Sequence, residues 1–254
     1  MAKCVEVKAV HTLNLLFHGP AHEAHGIGAF ISAIHTQTYK GNAGVVLWDF
    51  SIPLKRIDFI MALSEIKDEN LHLALHMAFV CSLRIGEAMA ATWDCIDLEK
   101  GEFYVTKTLQ RATKEAVDML PKDNLYFVFP AKMEDKKSVL ILKKPKTKSS
   151  TRVTYLTGEL CEELRQHKER LNKRKDFYGE KYRDYNLVFA LENGYPVEPK
   201  LCEKWFKQWM QKSEYKYPDI VFHSIRHSST TYKLIISGGD IKEKNVSSEY
   251  TAFC

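Results

Sequence analysis

"LHLALHMAFVCSLRIGEAMAATW", residues 71–93, is apolar on nearly every face, so a helix built from it belongs in the middle of a core and not on its surface. The pattern predicts one long central helix. Arg84 stands inside that run between Leu83 and Ile85, where an unpaired guanidinium would cost several kcal/mol. It therefore requires a partner. One reading is an ion pair with Glu87, three residues on and on the same helix face. The other is a guanidinium presented at the floor of an anion site. Arg84 alone does not choose between them.

Working outward, "LKRIDFIMALSEI" (54–66) has apolar residues at helical spacing. On the other side, "GEFYVTKTLQ" (101–110), "VLILKK" (139–144) and "RVTYL" (152–156) alternate or are rich in β-branched residues, with "PKTKSST" (145–151) as a turn. They predict a small antiparallel three-stranded sheet. Thr157 is placed to cap a helix carrying Glu159, Glu162 and Glu163 near its positive end. "NLVFALENGYPVEP" (186–199) reads as a short strand and a turn through Asn193-Gly194, and "PKLCEKWFKQWMQK" (199–212) as an amphipathic helix. "FHSIRHSSTTYKLIISGG" (222–239) reads as a last helix closed by Gly238-Gly239. The fold class is α+β and mainly helical.

At 254 residues and 45% apolar content, the chain can bury one substantial domain and a small one. The six cysteines, Cys4, Cys81, Cys95, Cys161, Cys202 and Cys254, include no C-x-x-C pair, which suits a reducing compartment. No apolar run of about 18 residues and no secretory order of segments occurs, so a cytoplasmic protein without a membrane partner is expected. Residues 1–50 are punctuated by glycines and show no persistent helical stripe. His18, His22 and His25 fall there, but Gly19-Pro20 spoils the helical spacing that metal ligation would use, and no metal site is expected.

Net charge is +5, yet residues 1–50 hold three Lys and three Asp/Glu, so the whole excess lies downstream. Residues 132–152 carry eight basic and two acidic groups, and residues 165–183 eight against three. A phosphate backbone selects such local density, although lysine-rich surfaces also serve solubility.

His223 and Arg226 are three apart on the last helix and share a face, with His227 beside them. Taken singly, a histidine near a helix start is as compatible with a cap or a packed position. Lys146 and Lys148 sit in the turn between the last two predicted strands, where they could swing over a bound phosphate or simply face water.

The combination is more specific than its parts. "SLRIGEAMAATWDCIDLEKG", then "PKTKSSTRVTYL", then "FHSIRH" resembles, in order and spacing, the catalytic domain of the tyrosine recombinases, the phage integrase family. The likeness covers about residues 60–242. It suggests a division into a divergent segment 1–52, a catalytic domain 53–242 and an atypical tail 243–254. By this resemblance the catalytic residues are Arg84 with Glu87 as its acidic companion, Lys146, His223 and Arg226.

The reaction so implied is DNA integration or site-specific recombination. A tyrosine hydroxyl attacks the scissile phosphate of double-stranded DNA, giving a 3′-phosphotyrosine and a free 5′-hydroxyl, with no cofactor, metal or ATP. Arg84 and Arg226 would hold the non-bridging oxygens, Lys146 would protonate the leaving oxygen, and His223 would assist proton transfer. A homo-oligomer on DNA is a further implication.

The tail departs from the pattern. The family places its tyrosine roughly 34 residues past the second arginine, whereas the tyrosine after Lys242 is Tyr250, 24 positions after Arg226 (250 minus 226). The shortfall is about 15 Å of helix. The chain as written is thus expected to bind DNA without forming the covalent adduct, and a non-catalytic DNA-binding remnant of an integrase is the alternative reading.

Overall fold

The computed structural model describes residues 56–131, 137–147, 150–215, 217 and 220–236. The divergent segment 1–52, Lys148, Gly238-Gly239, and the tail with Tyr250 lie outside them.

Helix α1 (Arg56–Glu65) leads into α2 (Glu69–Val80), whose start is fixed by the Asp68 carboxylate accepting the Leu71 N–H at 2.8 Å. Leu71, Leu73, Ala74, Leu75, Met77 and Ala78 are all buried, as the all-round apolar pattern demands. The helix does not, however, continue to residue 93. Ser82 adopts a left-handed conformation (φ 50°), the Leu83 N–H reaches back to the Ala78 carbonyl at 3.0 Å, and the Ser82 N–H to that of Phe79 at 3.3 Å. This is a Schellman ending with serine where glycine is usual. The chain restarts as the short α3 (Ile85–Ala88), with Arg84 at its N-cap.

Two antiparallel three-stranded sheets follow. One has order β1 (Ile96–Asp97), β2 (Glu102–Val105), β6 (Arg152–Tyr155), and the other β3 (Thr108–Thr113), β5 (Ser138–Lys143), β4 (Leu125–Phe129). The alternating run 101–110 is therefore two strands in different sheets, separated at Thr106-Lys107. Lys107 there donates to Thr92 Oγ1 and Asp94 Oδ2, each at 2.7 Å, which turns the chain away from β2. A short α4 (Lys114–Asp118) connects β3 toward β4. Gly86 lets α3 lie against β3: a Cβ there would meet Thr108 Oγ1 at 2.9 Å and the Leu109 carbonyl at 3.1 Å.

Helix α5 (Gly158–Tyr178) begins at Thr157, whose hydroxyl accepts the Leu160 N–H at 3.3 Å. The expected strand at 186–199 is instead two isolated bridges, Thr92 with Leu187 and Ala190 with Pro196, around a turn at Gly194 (φ 81°). Helix α6 (Pro199–Lys212) buries Cys202 and Phe206, and α7 (Phe222–Ile236) packs against α2. Among the described residues no helix is long and apolar enough to cross a membrane.

Candidate active site

The site grows from the broken end of α2. A helix end leaves carbonyls without intrahelical partners, and the Ser82 carbonyl finds two in arginines from remote parts of the chain. Arg152 Nη2, at the first residue of β6, donates to it at 3.2 Å, and Arg226 Nη1 of α7 donates to it as well. The Ser82 hydroxyl meets that of Ser229 at 2.7 Å, and Ser229 in turn donates to the Phe79 carbonyl. Turn, strand and last helix are thereby fastened at one point.

One turn further, Glu87 gathers the same arginines. It is 3% exposed. Its Oε1 accepts Arg84 Nη1 at 2.8 Å, while Oε2 accepts the Arg84 backbone N–H at 3.1 Å and Arg152 Nη2 at 2.9 Å, with Arg226 Nη1 at 3.6 Å. Burial alone would raise the Glu87 carboxyl, but the Arg152 hydrogen bond and charge, with the donors of Arg84, hold it below the usual range. Three guanidiniums against one carboxylate leave two positive charges in excess. Burial first, and then the Arg84 charge, push Arg226 below its ordinary value.

The arginines differ in what remains open. Arg152 is largely enclosed, its side chain 16% exposed, whereas those of Arg226 and Arg84 are 25% and 50% exposed. Arg152 thus serves the carboxylate and the Ser82 carbonyl, and Arg84 and Arg226 keep donors for something outside. A guanidinium is a planar fork that matches two oxygens of one tetrahedral anion.

His223 lies exposed on the same turn of α7, its ring 4.7 Å from that of His227 in a T-shaped contact. Burial, then His227, Arg226 and Arg84, lower its pKa below the ordinary 6.5, so it is neutral at pH 7. Lys233, ten residues on, is half-buried and donates to the Val80 carbonyl at 2.7 Å, closing the seam between α7 and the end of α2.

Of the residues singled out from sequence, Arg84 and Arg226 meet on Glu87, and His223 lies within their field. Arg84 is paired with Glu87 while half of its side chain stays exposed. Lys146 is exposed in the turn between β5 and β6, and among the described residues no hydrogen bond or ion pair ties it to Glu87, Arg84 or Arg226. Sequence reasoning missed the parts played by Arg152, Ser82 and Ser229. The signal for Arg152 was present as the arginine that closes "KTKSSTR" at the start of a strand, but nothing local shows that it reaches 65 residues back to Glu87.

Residues 52–244 match the phage integrase family. A tyrosine recombinase XerC-like protein of Caldanaerobacter subterraneus subsp. tengcongensis is 29% identical over 180 residues, 70% of this chain and 41% of that protein. Structures of the Tn1549 transposon integrase in complex with circular intermediate DNA superpose with a TM-score of 0.56 at 19% and 18% identity, covering 85% of this chain and 65% and 66% of those chains. At that identity the likeness is one of fold. The chain spans about two fifths of the length of the curated relative and just under two thirds of the transposon integrase chains. With the match extending over most of its length, the chain belongs to the phage integrase family.

Proposed function

We propose that the chain binds double-stranded DNA and that its Glu87-centred cluster holds the phosphodiester at which a tyrosine recombinase cuts and rejoins a strand. The observation that carries this reading is that one buried carboxylate fixes three guanidiniums and leaves two of them, Arg84 and Arg226, partly open. The attacking tyrosine oxygen forms a bond to phosphorus, the bond to the 5′-oxygen breaks, and charge grows on the two non-bridging oxygens. Arg84 and Arg226 stabilise that charge. His223, neutral and beside them, accepts and returns the hydroxyl proton, and Lys146 swings in on its exposed turn to protonate the leaving oxygen. Arg152 touches no substrate and acts through Glu87. Tyr250, the tyrosine that follows Lys242, lies outside the described residues. Assembly of several copies on one DNA belongs to the same proposal.

The test is binding of a labelled duplex by the chain and by an Arg84→Ala/Arg226→Ala double variant, with folding checked by circular dichroism. Weaker binding by the double variant at equal salt supports the reading. Equal affinity would move DNA to another face and remove it.

A further inference from the structure

On the far half of α2 from the arginine cluster, three side chains converge that the proposed reaction does not use. His72 and His76 are one turn apart and share a face, and Glu163 reaches them from α5. His76 Nδ1 lies 2.9 Å from Glu163 Oε2, His72 Nε2 lies 3.5 Å from Glu163 Oε1, and one ligand atom from each residue falls within 4.8 Å of the others. Two bonds of about 2.1 Å at a tetrahedral angle put ligand atoms roughly 3.4 Å apart. Small side-chain rotations suffice to reach that spacing.

The hydrogen bonds around the cluster are compatible with an ion. His72 Nδ1 is 3.0 Å from the Leu63 carbonyl, which can only accept, so Nδ1 carries the proton. His72 Nε2 then faces Glu163 Oε1 at 3.5 Å, a contact that either a second proton on the imidazole or a cation between the two satisfies. A carbonyl fixing the tautomer of a ligating histidine from behind is the usual arrangement of metal-binding imidazoles. Glu163 is less than a third exposed, and its neighbours Arg170 and Glu69 neutralise one another at 2.9 Å. His72 and Glu163 border a cavity of about 220 Å³ that also touches Lys67 and Gln166. A fourth position therefore faces space large enough for water.

We infer that His72, His76 and Glu163 bind a divalent transition metal ion of the zinc class. Two imidazoles and one carboxylate suit such an ion and not magnesium or calcium, which take oxygen donors. The ion joins α2 to α5, and through the Leu63 bond it also braces α1. Its role is structural: it anchors the helix whose other end displays the Ser82 carbonyl to the arginines. The H-x-x-x-H spacing at 72–76 was hidden within a run that reads as pure core, whereas the more conspicuous His18, His22 and His25 drew the metal question.

Chelator-stripped protein is titrated with Co²⁺ as a visible spectroscopic probe, then with Zn²⁺ in competition. The expected result is one Co²⁺ per chain with absorption of a low-coordinate nitrogen and oxygen site, displaced by Zn²⁺, and a Zn²⁺-dependent rise in melting temperature. His72→Gln and Glu163→Gln each weaken Zn²⁺ binding by at least about 100-fold, whereas replacing His18, His22 and His25 together by alanine leaves it unchanged. Absence of stoichiometric binding, or binding that survives both single variants, overturns the inference, as does loss in the triple variant alone. Should the single variants fail to fold, Cu²⁺ bound to the wild-type chain decides by electron paramagnetic resonance. Couplings from two imidazole nitrogens support the site, and their absence rejects it.

Discussion

At the scale of the residue, Glu87 carries the most consequence. Breaking a buried ion pair from one side leaves the partners uncompensated, which typically costs about 3–5 kcal/mol. Here three guanidiniums would lose their common anion. Glu87→Gln is expected to lower stability by about 3 kcal/mol at pH 7, read by urea unfolding. The pH dependence has a definite sign. The folded pKa of Glu87 lies below its ordinary 4.5, so its contribution is complete above that value and is lost as pH falls toward and through the folded pKa. The variant should therefore lose less stability than the wild type between neutral pH and the acid side of 4.5, and equal losses would show that Glu87 is not held as described. Arg152→Ala should resemble Glu87→Gln in stability, because Arg152 is enclosed and serves the carboxylate.

At the scale of the element, the decisive event is the end of α2. The sequence 71–93 contains no proline, and its first glycine comes only after the break, so apolar periodicity alone runs on as one helix. What ends it is a serine in a conformation that L-residues avoid, over-determined by partners 70, 144 and 147 positions away, namely Arg152, Arg226 and Ser229. No local pattern contains such information. The helix that begins at Thr157 was legible because its cap lies within three residues of what it caps. The arginine and histidine motifs could be recognised by order and spacing, but Arg152 could not, because its role depends on strand β6 pairing beside β2. The second sheet was missed for a similar reason: β5 pairs with β3 and β4 and not with β6, its neighbour in sequence.

The Ser82 turn yields a clean comparison. Ser82→Ala and Ser82→Gly both remove the hydroxyl that meets Ser229, but only glycine adopts positive φ freely. The glycine variant should be more stable than the alanine variant by about 1 kcal/mol in chemical denaturation. An alanine variant as stable as the glycine one would mean that residue 82 is not left-handed in solution.

At the scale of the whole molecule, the positive excess lies entirely in residues 51–254 and is concentrated around the β5–β6 connection and along α5. If a duplex lies on that surface, affinity should fall steeply with salt, as each neutralised phosphate releases condensed counterion. The cluster makes a finer expectation. Arg226→Lys keeps the charge and loses the fork, so affinity should drop by about tenfold with the salt slope preserved, whereas Arg226→Ala should reduce the slope by about 1 as well. Fluorescence anisotropy over a salt series separates the two. Identical behaviour of the lysine variant and the wild type would reduce Arg226 to a point charge.

The claim on which the rest depends is that Arg84 and Arg226, set on Glu87, grip one phosphodiester of bound DNA. It is tested most directly by a crystal structure of the chain with a duplex. The expected result is a single backbone phosphate within about 3 Å of both guanidiniums, with His223 beside it and Arg152 still on Glu87. DNA lying on another face, with Arg84 and Arg226 engaged by Glu87 alone, would contradict it.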